Sequence, residues 1–457
     1  MAPNELQIGK TRFGYMYDGN DATPQIRVQL HRRDAGHVEL IIPWSRGGGE
    51  EFYRRWFAGD AVQFSDDPER TKYRYSVPSV LSFEDIDGHV ALVGCSALGY
   101  TDTLGWGGGV GRARVRYAVI GGRSLEYGRI NGMRTRVSGL QAWLGIRSVS
   151  TKWVDDGAVI STHAAPPREV SGIEGLSIIP TVWVQEGGEG ETIVRESVMV
   201  QTLTENAERW DSHWETHGAV RDLVAIASWR NEEFAEVRVC RADDPLRVAS
   251  GDPVGTAWHE VIGPQLKPES SATLKRHMHE FMFKPADLSA DPIAAWIGLR
   301  EEFSRAVKPM VSSLNVSGAV ELRLAQAGIG MEALGYVLAL KTRSASAANG
   351  LNFRQRLEVI VSEVPIELPF DVSEWVEGAA AAYNGIKHAN RDLPDPIEIL
   401  NRTRECQLVF RSWVAHRLGM APELLQQAVD RDPMVHEYVA LTDPADELPG
   451  APIASQE

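Results

Sequence analysis

Residues Lys284–Pro292 read KPADLSADP, and the spacing of apolar residues changes across this stretch. Upstream, from Gly9 to about Lys284, apolar residues come in short runs broken by Gly, Pro, Asn and Asp: HVELIIPW, HVALVGCSAL, ARVRYAVI, LSIIPTVWV, ETIVRESVMVQTL, AEVRVCRA and HEFMFKP. Runs of this length, rich in β-branched and aromatic residues, suit half-buried strands, and their close spacing predicts a sandwich or barrel-like β domain. One interruption is expected, a helix over 205–229 with Trp210, Trp214, Leu223 and Ile226 near one face. Downstream of KPADLSADP the period lengthens to about 3.6. It predicts helices over 292–307, 318–342, 352–363, 372–390, 396–418 and 422–430. The expected fold class is therefore α+β multidomain: a β-rich N-terminal domain over 1–290, an all-α bundle over 291–432, and an acidic, Pro-rich tail over 433–457 expected to be disordered.

The whole-chain properties agree with two packed domains. At 457 residues the chain exceeds the size at which one core keeps growing, and its 43% hydrophobic and 24% charged content is that of an ordinary globular protein. Cys95, Cys240 and Cys406 match no metal or redox spacing, as expected of buried thiols in a reducing compartment. The opening MAPNELQIGK lacks an apolar signal core, and no long apolar run suggests a membrane span, so a cytoplasmic location without membrane contact is expected. A formal net charge of -15 argues against coating nucleic acid by bulk electrostatics, while leaving room for a local basic site.

One segment of the helical half concentrates polar chemistry. Ala382–Asp392 reads AYNGIKHANRD. At 100° per residue from Val372, the residues Val372, Trp375, Val376, Ala379, Ala382, Tyr383 and Ile386 fall in a wedge of roughly 120°, which predicts the buried face. Asn384, Lys387, His388 and Arg391 gather to one side of it, with Asn384 to His388 and Lys387 to Arg391 at the i,i+4 distance. On pattern alone this is equally the solvated side of an amphipathic helix. Its composition speaks for more: no carboxylate stands among the four, and three are cationic or can become so near neutral pH, which suits a phosphodiester.

The helical half, and YNGIKH within it, resembles the HEPN domains of prokaryotic defence and toxin ribonucleases, marked by Arg-Asn-x-x-x-His on a late helix. MEALGYVLAL and FRQRLEVIV are similar to earlier helices of the ApeA-like HEPN module. Upstream, ALVGCSALGYTDTLGW, the Gly-Gly-Arg-Ser-Leu-Glu-Tyr turn, SGLQAWLGI and the Trp210 to Trp229 helix resemble the N-terminal domain of ApeA-type anti-phage proteins. Carried over, the family's Asn falls on Asn384 and its His on His388, whereas its Arg falls on Tyr383. Lys387 or Arg391 would then supply the missing cation, or this copy no longer cuts RNA.

What the resemblance implies is an abortive-infection ribonuclease that needs neither metal nor cofactor. RNA carries its own nucleophile in the ribose 2′-OH, so cleavage needs chiefly a proton acceptor or donor and fixed positive charge at the phosphorus. The expected catalytic set is His388, Asn384, Lys387 and Arg391, and the expected RNA-contacting set is Arg354, Arg356 and Tyr383. Tyr383 lies on the apolar wedge, which favours a structural role for it. Family members pair these helices across a dimer, so a homodimer or higher homo-oligomer is implied. RNA, possibly tRNA, and a phage-derived trigger sensed by the N-terminal domain are the implied partners. The rival readings are a HEPN scaffold without catalysis and a ligand-binding β domain supported by helices.

Other features read as structure first. GWGGGVGRA over 105–113 lacks the Gly-Lys-Ser/Thr ending of a phosphate loop and reads as a turn. Arg112, Arg114 and Arg116 alternate and should share one strand face, as a docking surface or as a solvated strand beside acids. Arg123, Arg129, Arg134 and Arg136 follow close behind. HMHE over 277–280 has two His on one strand face but no third metal ligand. Trp143, Trp229 and Trp296 read as packing.

Overall fold

The computed structural model describes residues 4–21, 23, 25–34, 36–45, 51–57, 76–102, 108–266, 280–288, 291–315 and 318–440. The chain divides into two compact units, Met1–Val224 with Glu232–His279, and Ala225–Asn231 with Glu280–Glu457. The sequence placed the boundary at 290, some residues later, and did not assign 225–231 to the helical part.

The strands of the first unit are, in order, β1 (Thr11–Tyr17), β2 (Arg27–Arg32), β3 (Val38–Trp44), β4 (Val80–Asp85), β5 (Gly88–Val93), β6 (Ser96–Asp102), β7 (Gly109–Val115), β8 (Tyr117–Ile120) and β9 (Arg129–Val137). They continue with β10 (Val149–Val154), β11 (Gly157–Thr162), β12 (Arg168–Glu169), β13 (Leu176–Glu186), β14 (Thr192–Arg209), β15 (Phe234–Cys240), β16 (Leu246–Arg247), β17 (Pro253–Gly255) and β18 (His259–Ile262). Fourteen of them form one antiparallel sheet in the order β12-β13-β14-β9-β15-β18-β8-β5-β4-β1-β2-β3-β7-β6, open at both edges. The barrel-like half of the expectation is thus met by an open sheet and not by a closed barrel. Alternation drives it. In β7 the pattern puts Ala113 and Val115 inward and Arg112 and Arg114 outward, and Val28, Leu30, Leu40, Ile42, Phe83 and Leu92 join the same core.

Three helices accompany this sheet, α1 (Glu51–Phe57), α2 (Leu140–Leu144) and α3 (Trp210–Ser228). The helix expected from Glu205 begins only at Trp210, because β14 runs on to Arg209 with Glu208 and Arg209 still paired to β9. Ladder pairing overrides the helical spacing there. Trp210, Leu223 and Ile226 are buried as expected, and the Trp210 ring stacks on Tyr117 at 4.2 Å. Of HEFMFKP, the described residues Glu280–Lys284 do not form a strand. Of HMHE only Glu280 lies within the described residues, and Gly105–Gly107 of GWGGGVGRA also lie outside them.

The second unit contains α4 (Pro292–Glu302), α5 (Ser304–Asn315), α6 (Val320–Thr342), α7 (Ala345–Asn349), α8 (Phe353–Val361), α9 (Val372–Lys387), α10 (Pro396–Arg417) and α11 (Pro422–Asp430). The single helix expected over 292–307 is two, parted at Phe303. Several starts are fixed by side chains that satisfy otherwise orphaned N–H groups. Asp371 accepts from Glu374 N at 2.7 Å, Asp395 from Ile397 N at 2.8 Å, and Asn352 and Gln355 form a capping box.

α10 is the buried centre of this unit. Phe410, Trp413, Val414 and Leu408 are fully buried, and so are charged residues on the same helix. Arg411 donates Nε to Ile226 O at 2.9 Å, Nη2 to Ala227 O at 3.0 Å and Nη1 to Asp432 at 2.7 Å. Every edge of its fork is used, which is how a guanidinium tolerates burial. Asp432 also caps the 3-10 turn Pro433–Val435, and Tyr438 exchanges two hydrogen bonds with Asn401, so residues 433–438 of the expected tail are held against α10.

Candidate functional site

The candidate residues meet where α6, α8 and α9 come together. Two glycines of α6 set the approach. A Cβ on Gly328 would stand 2.3 Å from the Tyr383 ring, and one on Gly335 would stand 2.5 Å from Cβ of Arg356 and 2.6 Å from its carbonyl oxygen. Neither gap admits a methyl group. Bare backbone at these two positions lets α9 and α8 lie against α6 and brings Tyr383 and Arg356 to one place.

Glu332 of α6 joins them. Its carboxylate accepts from Arg356 Nη1 at 3.0 Å and from the Tyr383 hydroxyl at 3.3 Å, and Lys387 Nζ lies 3.6 Å away. Lys387 also sits over the Tyr383 ring at 5.3 Å, and Arg356 over Tyr336 at 5.5 Å. Burial first, and the Glu332 charge second, push the Tyr383 phenol up to about 12. Tyr383 is therefore a buried donor and not a titrating group at neutral pH. Arg356 Nε has no hydrogen-bond partner among the described residues. Arg354, two residues earlier on α8, is paired with Glu377.

α9 ends earlier than its period predicts, and this changes the polar stripe. The last helical residue is Lys387. His388 is its C-cap in extended backbone, with φ -124 and ψ 112. The returning chain explains the stop: a Cβ on Gly385 would lie 2.6 Å from Asp392 O and 3.1 Å from Pro394 Cδ, so residues 392–394 cross back over the last turn. Two prolines in RDLPDP also exclude a continued helix. Asn384 and Lys387 remain on the helix, while His388 and Arg391 leave it. Backbone bonds keep them close in sequence order, with His388 N donating to Asn384 O at 3.0 Å and Arg391 N to His388 O at 3.0 Å.

The expectation of a stripe without a carboxylate is corrected as well. Glu332 reaches it from another helix, which helical spacing within one segment cannot reveal. Of the candidate cations, Arg354, Arg356 and Lys387 are paired with acids. The side chains of Asn384, His388 and Arg391 have no partner among the described residues, and His388 and Arg391 are exposed. What the arrangement can do chemically follows. An exposed imidazole and guanidinium stand at a helix end beside a lysine held by one carboxylate, a combination able to accept a phosphodiester and move a proton.

A second polar cluster, within the first unit, was not anticipated. His213 and His217 of α3 are buried against β9 and β14. His213 Nε2 faces Ile130 O at 3.3 Å, which can only accept, so Nε2 carries the proton and Nδ1 accepts from Thr202 Oγ1 at 2.7 Å. Thr202 Oγ1 then accepts from His217 Nε2 at 2.9 Å, and His217 Nδ1 accepts from Thr135 Oγ1 at 2.6 Å. Every donor finds an acceptor with both rings neutral. Burial lowers both imidazoles, His217 to about 3.

An open antiparallel sheet followed by a helical bundle, with Asn384 on its late helix and His388 at that helix's C-cap, is the arrangement of a two-domain HEPN protein. Residues 35–296 match the family described as ApeA N-terminal domain 1, and residues 336–424 match the family described as Apea-like HEPN. The first match alone spans more than half of the sequence, and the chain belongs to the ApeA family, which places it among HEPN-type anti-phage defence proteins. No curated protein matches it. A solved structure described as "MrkH, A novel c-di-GMP dependence transcription regulatory factor" aligns over 49% of this chain and 97% of its own at 8% identity, with a TM-score of 0.12, too low to bear on fold or function. No helix among the described residues is long and apolar enough to cross a membrane.

Glu332 is the residue that the sequence reading passed over although MEALGYVLAL contains it. The signal was present: α6 holds only two acids, Glu321 in its first turn and Glu332 within an otherwise apolar stretch. A lone carboxylate inside an apolar helix needs a partner.

Proposed function

We propose that this chain is a metal-independent endoribonuclease of the HEPN type that cleaves host or phage RNA during infection and so arrests the infected cell. The observation that carries this reading is the group of Asn384, His388 and Arg391 at the end of α9, whose side chains have no partner among the described residues and which lies inside the segment matching Apea-like HEPN. The 2′-OH of the substrate attacks its own phosphorus, the bond to the 5′ oxygen breaks, and a 2′,3′-cyclic phosphate and a 5′-OH result. His388 moves the proton, a task suited to histidine at neutral pH. Arg391 and Lys387 stabilise charge on the phosphoryl oxygens, and Asn384 positions the phosphate. Arg356 and Arg354 guide the flanking backbone once their carboxylates exchange for phosphate. A homodimer or higher homo-oligomer through the helical domain brings two such groups to one cleft. The β-rich domain restrains the nuclease until a phage-derived trigger arrives.

A second reading is favoured by one observation. Tyr383 stands where the family pattern has Arg, and its ring is buried against Gly328. In that reading the domain is a HEPN scaffold without catalysis. Phage plating on cells producing wild type or His388→Ala separates the two. The nuclease loses protection with the substitution while its oligomer size stays the same, and the scaffold keeps protection.

A further inference from the structure

The outer face of the first sheet carries side chains that the nuclease reading leaves unused. Along β1, Phe13, Tyr15 and Tyr17 point outward and are 67%, 46% and 37% exposed, while Met16 between them joins the core. Successive outward residues of an antiparallel strand are about 7 Å apart. The register continues this face across three neighbours. Phe13 is opposite Gln29, Gln29 opposite Ile41, and Ile41 opposite Arg112. One row over, Thr11, His31, Glu39 and Arg114 follow one another in the same way. Tyr15 is opposite Arg27, whose Nε donates to the tyrosine hydroxyl at 3.3 Å.

We infer that this face binds a single-stranded polynucleotide, separately from the HEPN site. Aromatic rings on an open sheet offer stacking platforms that accept any base, and guanidiniums a few strands away meet the phosphates. From β1 to β7 is three strand spacings, about 14 Å. The acids of the face limit its extent without opposing this. Glu39 is buried and paired with Arg33 at 3.0 Å, Asp21 accepts from the Tyr17 hydroxyl, and Glu84, directly opposite Tyr15 on β4, lies 3.3 Å from His89 Nε2 and bounds the face on that side. Arg112 and Arg114, which alternate in the sequence, thus belong to one surface with aromatics about a hundred residues away.

The inference does not rest on the nuclease reading, and its test is built to be independent of it. Full-length His388→Ala protein is titrated into a fluorescein-labelled oligouridylate and into the matching oligodeoxythymidylate, which has no 2′-OH, and anisotropy is read at several salt concentrations. Binding of either probe is expected, and the two arms tell RNA from DNA. Adding Phe13→Ala with Tyr15→Ala should weaken it about tenfold or more. Adding Arg112→Glu with Arg114→Glu should weaken it and lower the salt slope by roughly 0.7 per arginine. Thermal melting should be unchanged, since all four side chains are exposed. No binding of either probe at low salt would overturn the inference. So would binding that both sets of substitutions leave intact, or a change in oligomer mass in place of a change in binding, which would make the face a contact between copies of the chain.

Discussion

Lys387 Nζ lies 3.6 Å from Glu332 Oε2, and the same carboxylate receives Arg356 and the Tyr383 hydroxyl. One acid of α6 therefore ties α8 to α9 and holds two of the cations that the sequence assigns to RNA.

Removing that acid leaves Arg356, whose side chain is 13% exposed, without its charge partner. Glu332→Ala is expected to cost about 1–3 kcal/mol, and Glu332→Gln less, because the amide oxygen still accepts. Urea unfolding followed on the helical signal checks this. Equal losses for the two variants would show that the contacts of Glu332 do not matter.

Gly328→Ala should cost about 1–3 kcal/mol by overpacking, since the new methyl meets the Tyr383 ring. Combining it with Tyr383→Leu should recover part of the loss, giving a non-additive double-mutant cycle. Strict additivity would mean that the two positions do not touch.

Arg411→Ala should cost about 3–5 kcal/mol, because Asp432 stays buried with no counter-charge. The same substitution in an Asp432→Asn background should cost less. Denaturant midpoints of the four proteins give the comparison.

The buried imidazoles set an acid limit. Their folded values lie below the unfolded one of about 6.5, so the unfolded state binds protons that the folded state refuses. Stability is unaffected above that pH and falls below it, for His217 until about 3. The slope is about 1.4 kcal/mol per pH unit for each ring. His217→Asn, which cannot titrate, should flatten the stability profile below pH ~6.5 by that amount per unit. A profile parallel to wild type would contradict the assignment.

The fold was legible wherever one segment decides its own structure. The change of period at KPADLSADP gave the order of the two parts, and Asp395-Pro396 and Gly419 marked the limits of α10. The failures came where distant chain decides. β14 runs on to Arg209 because β9 pairs with Glu208 and Arg209 beyond an irregularity after Leu203. α9 stops at Lys387 because residues 392–394 cross Gly385. Glu332 and the Thr135–His217–Thr202–His213 chain join residues from separate elements, and no spacing within a single element encodes those meetings. Asn384 and His388 were singled out from their local pattern as candidates, whereas the pairing state of Lys387, Arg354 and Arg356 needed the partner helices.

The most direct test of the proposed chemistry is cleavage of 5′-labelled RNA in EDTA by purified wild type and His388→Ala, each with and without extract from phage-infected cells. The expected result is fragments ending in 2′,3′-cyclic phosphate with wild type and none above background with the variant. Equal fragment patterns from both proteins, or intact RNA with wild type even beside infected-cell extract, would contradict the assignment of His388 as the proton-transfer group.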